Sequence, residues 1–335
     1  MPAHPNIHQP KTVAVTGVAG FVGSHVAEAL LARGDRVLGL DNFDHFYARP
    51  IKERNLTEVR AAASRAGREG ALVFQEVNLT DPAAVRAVLE REAVDGVIHL
   101  AGKAGVRPSL ADPVAYMTAN VTATQAVLSA ATASGARRAV LASSSSVYGN
   151  SPRVPFREDD PALEPISPYA ASKRATELIA FTHHHAHGLP IACLRFFTVY
   201  GPRQRPDLAI HLFMSKIRRG EPIAMFGDGS MARDYTFVTD TVRGVLAAYD
   251  RVDRHGCRTW NLGSDRPTRL DALLEAIQRV AGRRATIERK PAPPGDVEQT
   301  WADLSRSAAE LGYAPSVGLE EGLAAQWAWM ERVGA

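Results

Sequence analysis

A chain of 335 residues, 45% of them apolar, can bury a sizeable core, in one large domain or two unequal ones. Its 39 Lys and Arg against 36 Asp and Glu leave a formal charge of +3 with no dense basic block. That balance disfavours a nucleic-acid surface, while a basic pocket for a phosphorylated small molecule stays open.

Residues Met1 to Pro10 have neither the apolar run of a signal peptide nor the length of a membrane span, so a cytoplasmic protein with no membrane association is expected. Lys11 to Thr16 is a short β-branched run leading into Gly17-Val-Ala-Gly20-Phe21-Val22-Gly23. A helical pattern follows from Ser24 to Arg33, Gly34-Asp35 ends it, and Arg36 to Leu40 reads as a second buried strand. Strands are expected again at Leu72–Val77, Gly96–Leu100, Ala139–Ser143 and Pro190–Phe197. Helices are expected at Ala83–Arg91, Pro113–Ser134 and Tyr169–His187. Strict alternation of strand and helix predicts an α/β fold, a doubly wound parallel sheet with crossover helices. After Tyr200-Gly-Pro202 the rhythm weakens and turn residues multiply. Residues 11–200 are therefore expected to form the cofactor domain, with one strand returning to it near 259–262. Residues 201–335 are expected to form mainly a smaller α/β substrate lobe over the carboxyl ends of the strands.

Gly17, Gly20 and Gly23 sit between a strand and a helix, where glycines let the backbone turn tightly and approach a pyrophosphate. A Gly-rich turn without a ligand would look the same. Asp41, followed by Asn42, ends the second strand eighteen residues after Gly23, close to the spacing of a ribose-binding acid. Its carboxylate would bond the adenosine ribose hydroxyls and repel a 2′-phosphate, which favours NAD over NADP. Asn78 and Leu79 follow the third strand, where the Asn side chain is expected to reach the adenine amine. Leu100, Ala101, Gly102 and Lys103 follow the fourth. The small residues allow close passage by the cofactor, and Lys103 is either a bridge from cofactor to substrate or a surface lysine.

Tyr169 precedes Lys173 by four residues, placing both on one helix face. There an ammonium can stabilise a phenolate and make a weak acid usable as a base near neutral pH. The run Ser143-Ser144-Ser145-Ser146 upstream offers neutral hydroxyls, although Ser143 and Ser145 also suit a turn or cap.

The ordered set Gly17-x-x-Gly20-x-x-Gly23, Tyr169-x-x-x-Lys173 and Arg195-Phe-Phe-Thr-Val-Tyr-Gly-Pro202 resembles the extended short-chain dehydrogenase/reductase family, a Rossmann fold, from Thr12 to about Trp329. Within that family the chain is similar to nucleotide-sugar epimerases. The resemblance implies that Tyr169 removes the proton of the sugar 4-hydroxyl while Lys173 holds the nicotinamide ribose and helps to lower the tyrosine pKa. Hydride passes from sugar C4 to NAD⁺ and returns to the other face of a 4-keto intermediate, with no net redox change. Ser144 and Ser146 would address the sugar oxygen, with Ser145 beside them. Nucleotide-sugar 4,6-dehydratases carry an Asp-Glu pair in place of Ser145-Ser146, and decarboxylases carry a Glu in place of Ser146, so epimerisation is implied.

Epimerases of UDP-glucose usually have Asn in place of Thr198. The run through Thr198 followed by Arg205-Pro-Asp207 resembles UDP-glucuronate 4-epimerases, and a planar guanidinium at Arg205 suits a C6 carboxylate. The implied product is UDP-galacturonate. Arg205 as a loop arginine paired with Asp207 is the alternative. Arg107 is a second candidate anion contact. Arg233 matches the family's diphosphate-gripping arginine and Asp296 its ribose-binding acid. Pro293 and Asn78 depart from the usual residues. A homodimer through Pro113–Ser134 and Tyr169–His187 is also implied. The other functions left open are epimerisation of UDP-glucose or UDP-N-acetylglucosamine, decarboxylation of UDP-glucuronate, and non-catalytic NAD binding.

Cys193 and Cys257 are far apart in sequence without metal-ligand spacing, and Cys193 reads as a buried thiol. His183, His184, His185 and His187 close the tyrosine helix, where they suit the C-terminal dipole. No metal is expected.

Overall fold

Parallel strands buried on both faces should read as continuous apolar runs, and the segments Val13–Val15 and Val37–Leu38 are fully buried in this way. The computed structural model describes residues 9–291 and 297–334. Its central sheet contains β1 (Thr12–Thr16), β2 (Arg36–Asp41), β3 (Leu72–Glu76), β4 (Gly96–His99), β5 (Ala139–Ser144) and β6 (Ile191–Phe196). The strand Cys257–Leu262, β10 in chain order, completes it. The order is β3-β2-β1-β4-β5-β6-β10, and every neighbouring pair is parallel. Alternate residues of one strand serve opposite faces: Val13 and Val15 join one apolar core, Ala14 the other.

Helices α1 (Phe21–Arg33), α2 (Arg49–Arg65) and α3 (Pro82–Glu92) connect the first four strands. The chain moves from β1 to β2 on one side and returns past β1 to β4 on the other. The loops leaving β1 and β4 therefore diverge, and a crevice opens at the strands' carboxyl ends.

Between β4 and β5 run α4 (Val106–Ala111), α5 (Pro113–Tyr116) and α6 (Ala123–Ala133), and a π-helical stretch, Met117–Thr122, joins the last two. The continuous helix expected over 113–134 is thus interrupted. A π turn widens the backbone and re-aims side chains, here turning Asn120 inward. Helix α7 (Pro168–His187) starts with Pro168 at its first position and the Ser167 hydroxyl accepting from the Ala170 amide at 3.1 Å. Gly188, at φ 71°, ends it.

The remaining elements are β7 (Thr198–Tyr200), α8 (Ala209–Arg219), β8 (Ile223–Phe226), β9 (Ala232–Phe237), α9 (Val238–Arg251), β11 (Pro267–Arg269), α10 (Leu270–Ala281), β12 (Ile287–Lys290), α11 (Ser305–Leu311) and α12 (Leu319–Val333). They include a three-stranded sheet, β11-β9-β7, and the pair β12-β8. Asp234 of β9 is fully buried and accepts from the amides of Ser264, Asp265 and Ala302 at 2.6, 3.1 and 3.2 Å. Those bonds fasten β9 to the chain leaving β10. Helix α2 has no counterpart among the sequence expectations, because its inward face includes Lys52 and Asn55 and breaks the apolar period. Among the described residues no helix is long and apolar enough to cross a membrane.

Candidate active site

The crevice is a cleft of about 700 Å³ along the carboxyl ends of β1, β2, β4, β5 and β6. Its wall begins at the loop after β1. Gly17 has φ 70°, and a side chain there would meet the Ala101 amide at 2.9 Å. A Cβ on Gly23 would lie 2.0 Å from the Gly17 carbonyl oxygen, so this glycine lets α1 pack against the turn. No side chain caps α1, whose first amides face the loop, and Phe21 and Val22 join Gly17, Gly20 and Gly23 in the lining.

Asp41 closes the adenosine end. Its carboxylate accepts from the Ala19 amide at 3.1 Å and the Phe43 amide at 2.8 Å, with the Lys52 ammonium 3.9 Å away. Asn42, Asn78 and Leu79 line the same end. The Asn78 side-chain oxygen accepts both the amide (3.1 Å) and the hydroxyl (2.9 Å) of Thr80. Its NH₂ is the group left to face a ligand. A donor in that position suits a ring nitrogen of adenine better than the exocyclic amine.

The β4 loop is set by a buried relay. Thr16 Oγ1 accepts the Leu100 and Ala101 amides, each at 3.1 Å, so its proton goes to His99 Nδ1 at 2.7 Å. Thr124 donates to the Asn120 carbonyl at 2.5 Å, which makes His99 Nε2 the donor to Thr124 at 3.1 Å. Burial and the Lys173 charge hold His99 down to about 3, so this tautomer is neutral across the physiological range. Asn120 then binds Lys103 at both backbone groups, 2.8 and 2.9 Å, and donates to Ser172 at 2.8 Å. Gly102 has no room for a side chain: its Cβ would meet Asn120 Oδ1 at 2.7 Å and Lys173 Nζ at 3.3 Å. Leu100, Ala101, Gly102 and Lys103 all line the cleft. Lys103 pairs with Asp44 at 2.8 Å and lies over the Phe46 ring at 5.4 Å.

Tyr169 and Lys173 emerge from one face of α7, both buried. Lys173 donates to the Ala142 carbonyl at 2.8 Å, and burial without a carboxylate partner lowers its pKa to about 8. Burial raises the Tyr169 phenol, partly offset by a hydrogen bond from Ser144 and by the Arg205 charge. The protein groups that favour the phenolate are therefore Ser144 and Arg205, whereas the lysine ammonium is turned to the end of β5. Ser145 and Ser146 share the lining with Ser144, and no carboxylate stands in that run.

Thr198 and Arg205 complete the sugar side. Arg205 does pair with Asp207, at 3.0 Å through Nε and 2.7 Å through Nη2, yet it stays in the cleft. The two readings of this arginine are compatible. Arg107, over the Phe226 ring at 5.0 Å, and Arg233, donating to the Ala232 carbonyl at 2.9 Å, are not part of the cleft lining. Asp296 and Pro293 lie outside the described residues. Phe46, Tyr47, Lys52 and Asn120 join or support the site unforeseen, from segments with neither a glycine signature nor clean periodicity. Among the described residues no cluster of three or more His, Cys, Asp or Glu is arranged to hold a metal.

A Gly-rich turn beneath an uncapped helix, an acid at the end of β2 and a cleft with Gly102 beside Lys173 fit a dinucleotide. The model of the NAD dependent epimerase/dehydratase family matches residues 13–263. The chain belongs to that family. Its cofactor is NAD. A UDP-glucuronate 4-epimerase of Thermodesulfobacterium geofontis is 40% identical over 311 residues, 92% of this chain and 93% of that one. The UDP-glucuronic acid 4-epimerase of Bacillus cereus, solved with UDP-glucuronic acid and NAD, has 31% identity and a TM-score of 0.86. That match covers 96% of this chain and 99% of that one. UDP-glucose 4-epimerase of Thermotoga maritima, solved with UDP-glucose, also gives a TM-score of 0.86 at 28% identity, over 97% and 100% of the two chains.

Proposed function

We propose that this family member catalyses the NAD-dependent C4 epimerisation of a UDP-sugar, converting UDP-glucuronate to UDP-galacturonate. The observation that carries the sugar assignment is Arg205, a cation in the cleft near enough to Tyr169 to lower its phenol. In a uronate the C6 carboxylate is borne by C5, next to the reacting C4, so one cleft must hold base and cation together. The similarity to relatives named for UDP-glucuronate supports the same choice.

NAD, when bound, would supply the hydride acceptor and donor for sugar C4. Tyr169 takes the proton of the 4-hydroxyl and gives it back at the same oxygen. Ser144 donates to the phenolate, and Ser146 offers a second neutral hydroxyl to the sugar. Lys173 holds the nicotinamide ribose, and Asp41 the adenosine ribose. The 4-keto uronate is a β-keto acid, and it loses CO₂ when its C–CO₂ bond aligns with the carbonyl π-system. Arg205 and Thr198 hold the carboxylate away from that alignment. With hydroxyls at Ser145 and Ser146, the chain has no acid–base pair there for elimination. Residues 11–200 serve mainly the cofactor and 201–335 mainly the nucleotide sugar, with Arg233 and Asp296 as its nucleotide contacts.

A neutral-sugar epimerase is the second reading, favoured by the equal structural likeness to the Thermotoga maritima enzyme. Separate incubation with UDP-glucuronate and UDP-glucose, followed by separation of the epimers, distinguishes them. Turnover of UDP-glucose alone would sink the uronate assignment. The partner is a second copy of the chain. Support comes from Val114, Leu178 and Phe181, which are 73%, 53% and 62% exposed on the neighbouring helices α5 and α7. A monomer in solution by light scattering contradicts this.

A further inference from the structure

The loop from Asn42 to Ala48 carries the adenosine-side residues at one end and Phe46 towards the other. Phe46 is half-buried, and its ring takes two cations: the Arg205 guanidinium at 4.7 Å and the Lys103 ammonium at 5.4 Å. It also stands edge-on to Tyr116 at 6.5 Å, and Tyr116 stands edge-on to Tyr169 at 6.1 Å. The Ala104 carbonyl locks this group by accepting both Tyr116 Oη at 3.1 Å and Arg205 Nη2 at 3.3 Å.

A guanidinium is planar and has five donors. At Arg205, Nε and Nη2 are spent on Asp207 and Ala104, and one face rests on Phe46. Among the described residues Nη1 donates to nothing, so it is the arm left for a ligand. Lys103 and Arg205 are matched by Asp44 and Asp207, leaving no excess charge in the quartet. Attraction for a substrate carboxylate must then come from the direction of Nη1, not from net charge. Asp207 is about half exposed, so its two-bond fork holds the guanidinium plane only as firmly as a solvated carboxylate can, and the Phe46 ring backs that plane from one face.

The geometry points to Phe46 as the positioning residue that sets the plane of Arg205 and with it the preference for a carboxylated sugar. This rests on the proposal that Arg205 holds the uronate carboxylate. It also gives the loop after β2 a part in substrate choice as well as in cofactor binding.

The test compares Phe46→Leu, Phe46→Tyr and Arg205→Met with wild type, measuring KM and kcat for UDP-glucuronate, bound NAD and affinity for UDP. Phe46→Leu is expected to raise KM about tenfold, with a much smaller change in kcat and with NAD content and UDP affinity unchanged. Phe46→Tyr, which keeps the ring face, is expected to restore KM. If Arg205→Met leaves KM unchanged, the carboxylate assignment falls and this inference falls with it. If Arg205→Met raises KM but Phe46→Leu does not, only the role of Phe46 is overturned. It is overturned equally if Phe46→Leu loses NAD and UDP affinity together, or if Phe46→Tyr fails to rescue.

Discussion

Ser144 stands at the end of β5 near the phenol of Tyr169: its oxygen accepts the Ser146 amide at 3.1 Å, and its hydrogen bonding to the phenol is the main influence that holds the Tyr169 pKa down. That bond opposes the burial which raises the phenol. Removing it should leave the base harder to ionise. A hydrogen bond to a charged group contributes about 1.5–3 kcal/mol, and one pKa unit is about 1.4 kcal/mol. Ser144→Ala is therefore expected to move the acidic limb of the kcat/KM profile upward by about one to two pH units. A profile that only falls in height would show that Ser144 does not tune the phenol.

Lys173 has a stability cost. Its folded pKa of about 8 lies below the ordinary 10.5, so between those values the unfolded chain binds a proton that the folded chain has lost. Stability contributed through this group rises with pH across that window, and its penalty is complete below about pH 8. Lys173→Met should abolish activity yet gain on wild type in urea unfolding at pH 7. The gain is on the order of 3 kcal/mol before subtracting the lost bond to Ala142. At pH 10 the advantage should have shrunk. An advantage that does not change with pH contradicts the burial argument.

Asp41→Asn removes the negative charge at the adenosine end and leaves either the Ala19 or the Phe43 amide without its acceptor. Dinucleotide titration should show NAD affinity falling about tenfold or more while affinity for NADP rises, since the 2′-phosphate is no longer repelled. Unaltered selectivity would remove Asp41 from the ribose site.

Gly23→Ala tests the turn under α1. With a Cβ 2.0 Å from the Gly17 oxygen, helix and loop must separate. Overpacking of this kind costs about 1–3 kcal/mol. Thermal unfolding should show the loss, and purified protein should carry little NAD. Retention of both would mean that the turn adapts.

The doubly wound sheet was legible because β1, β2, β4 and β6 are short apolar runs of the kind that only a parallel sheet buries on both faces. The glycine turn, Asp41, the serine run and the Tyr169–Lys173 spacing were legible because each is local in sequence. What was hidden depends on long-range packing. Asn120 acts through a π turn that periodicity reads as ordinary helix. Helix α2 is masked by its buried Lys52 and Asn55. Phe46 gains meaning only beside Arg205, which comes from the chain beyond β7. Cys193 and Cys257, distant in sequence, become neighbours because β6 pairs with β10.

The central claim is a reversible oxidation at C4 of a uronate in which the same hydride returns. UDP-glucuronate carrying deuterium at C4 tests it most directly. The expected product is UDP-galacturonate with the deuterium retained at C4 and no net NADH. Loss of the label to water, or a pentose product from loss of CO₂, would contradict the account.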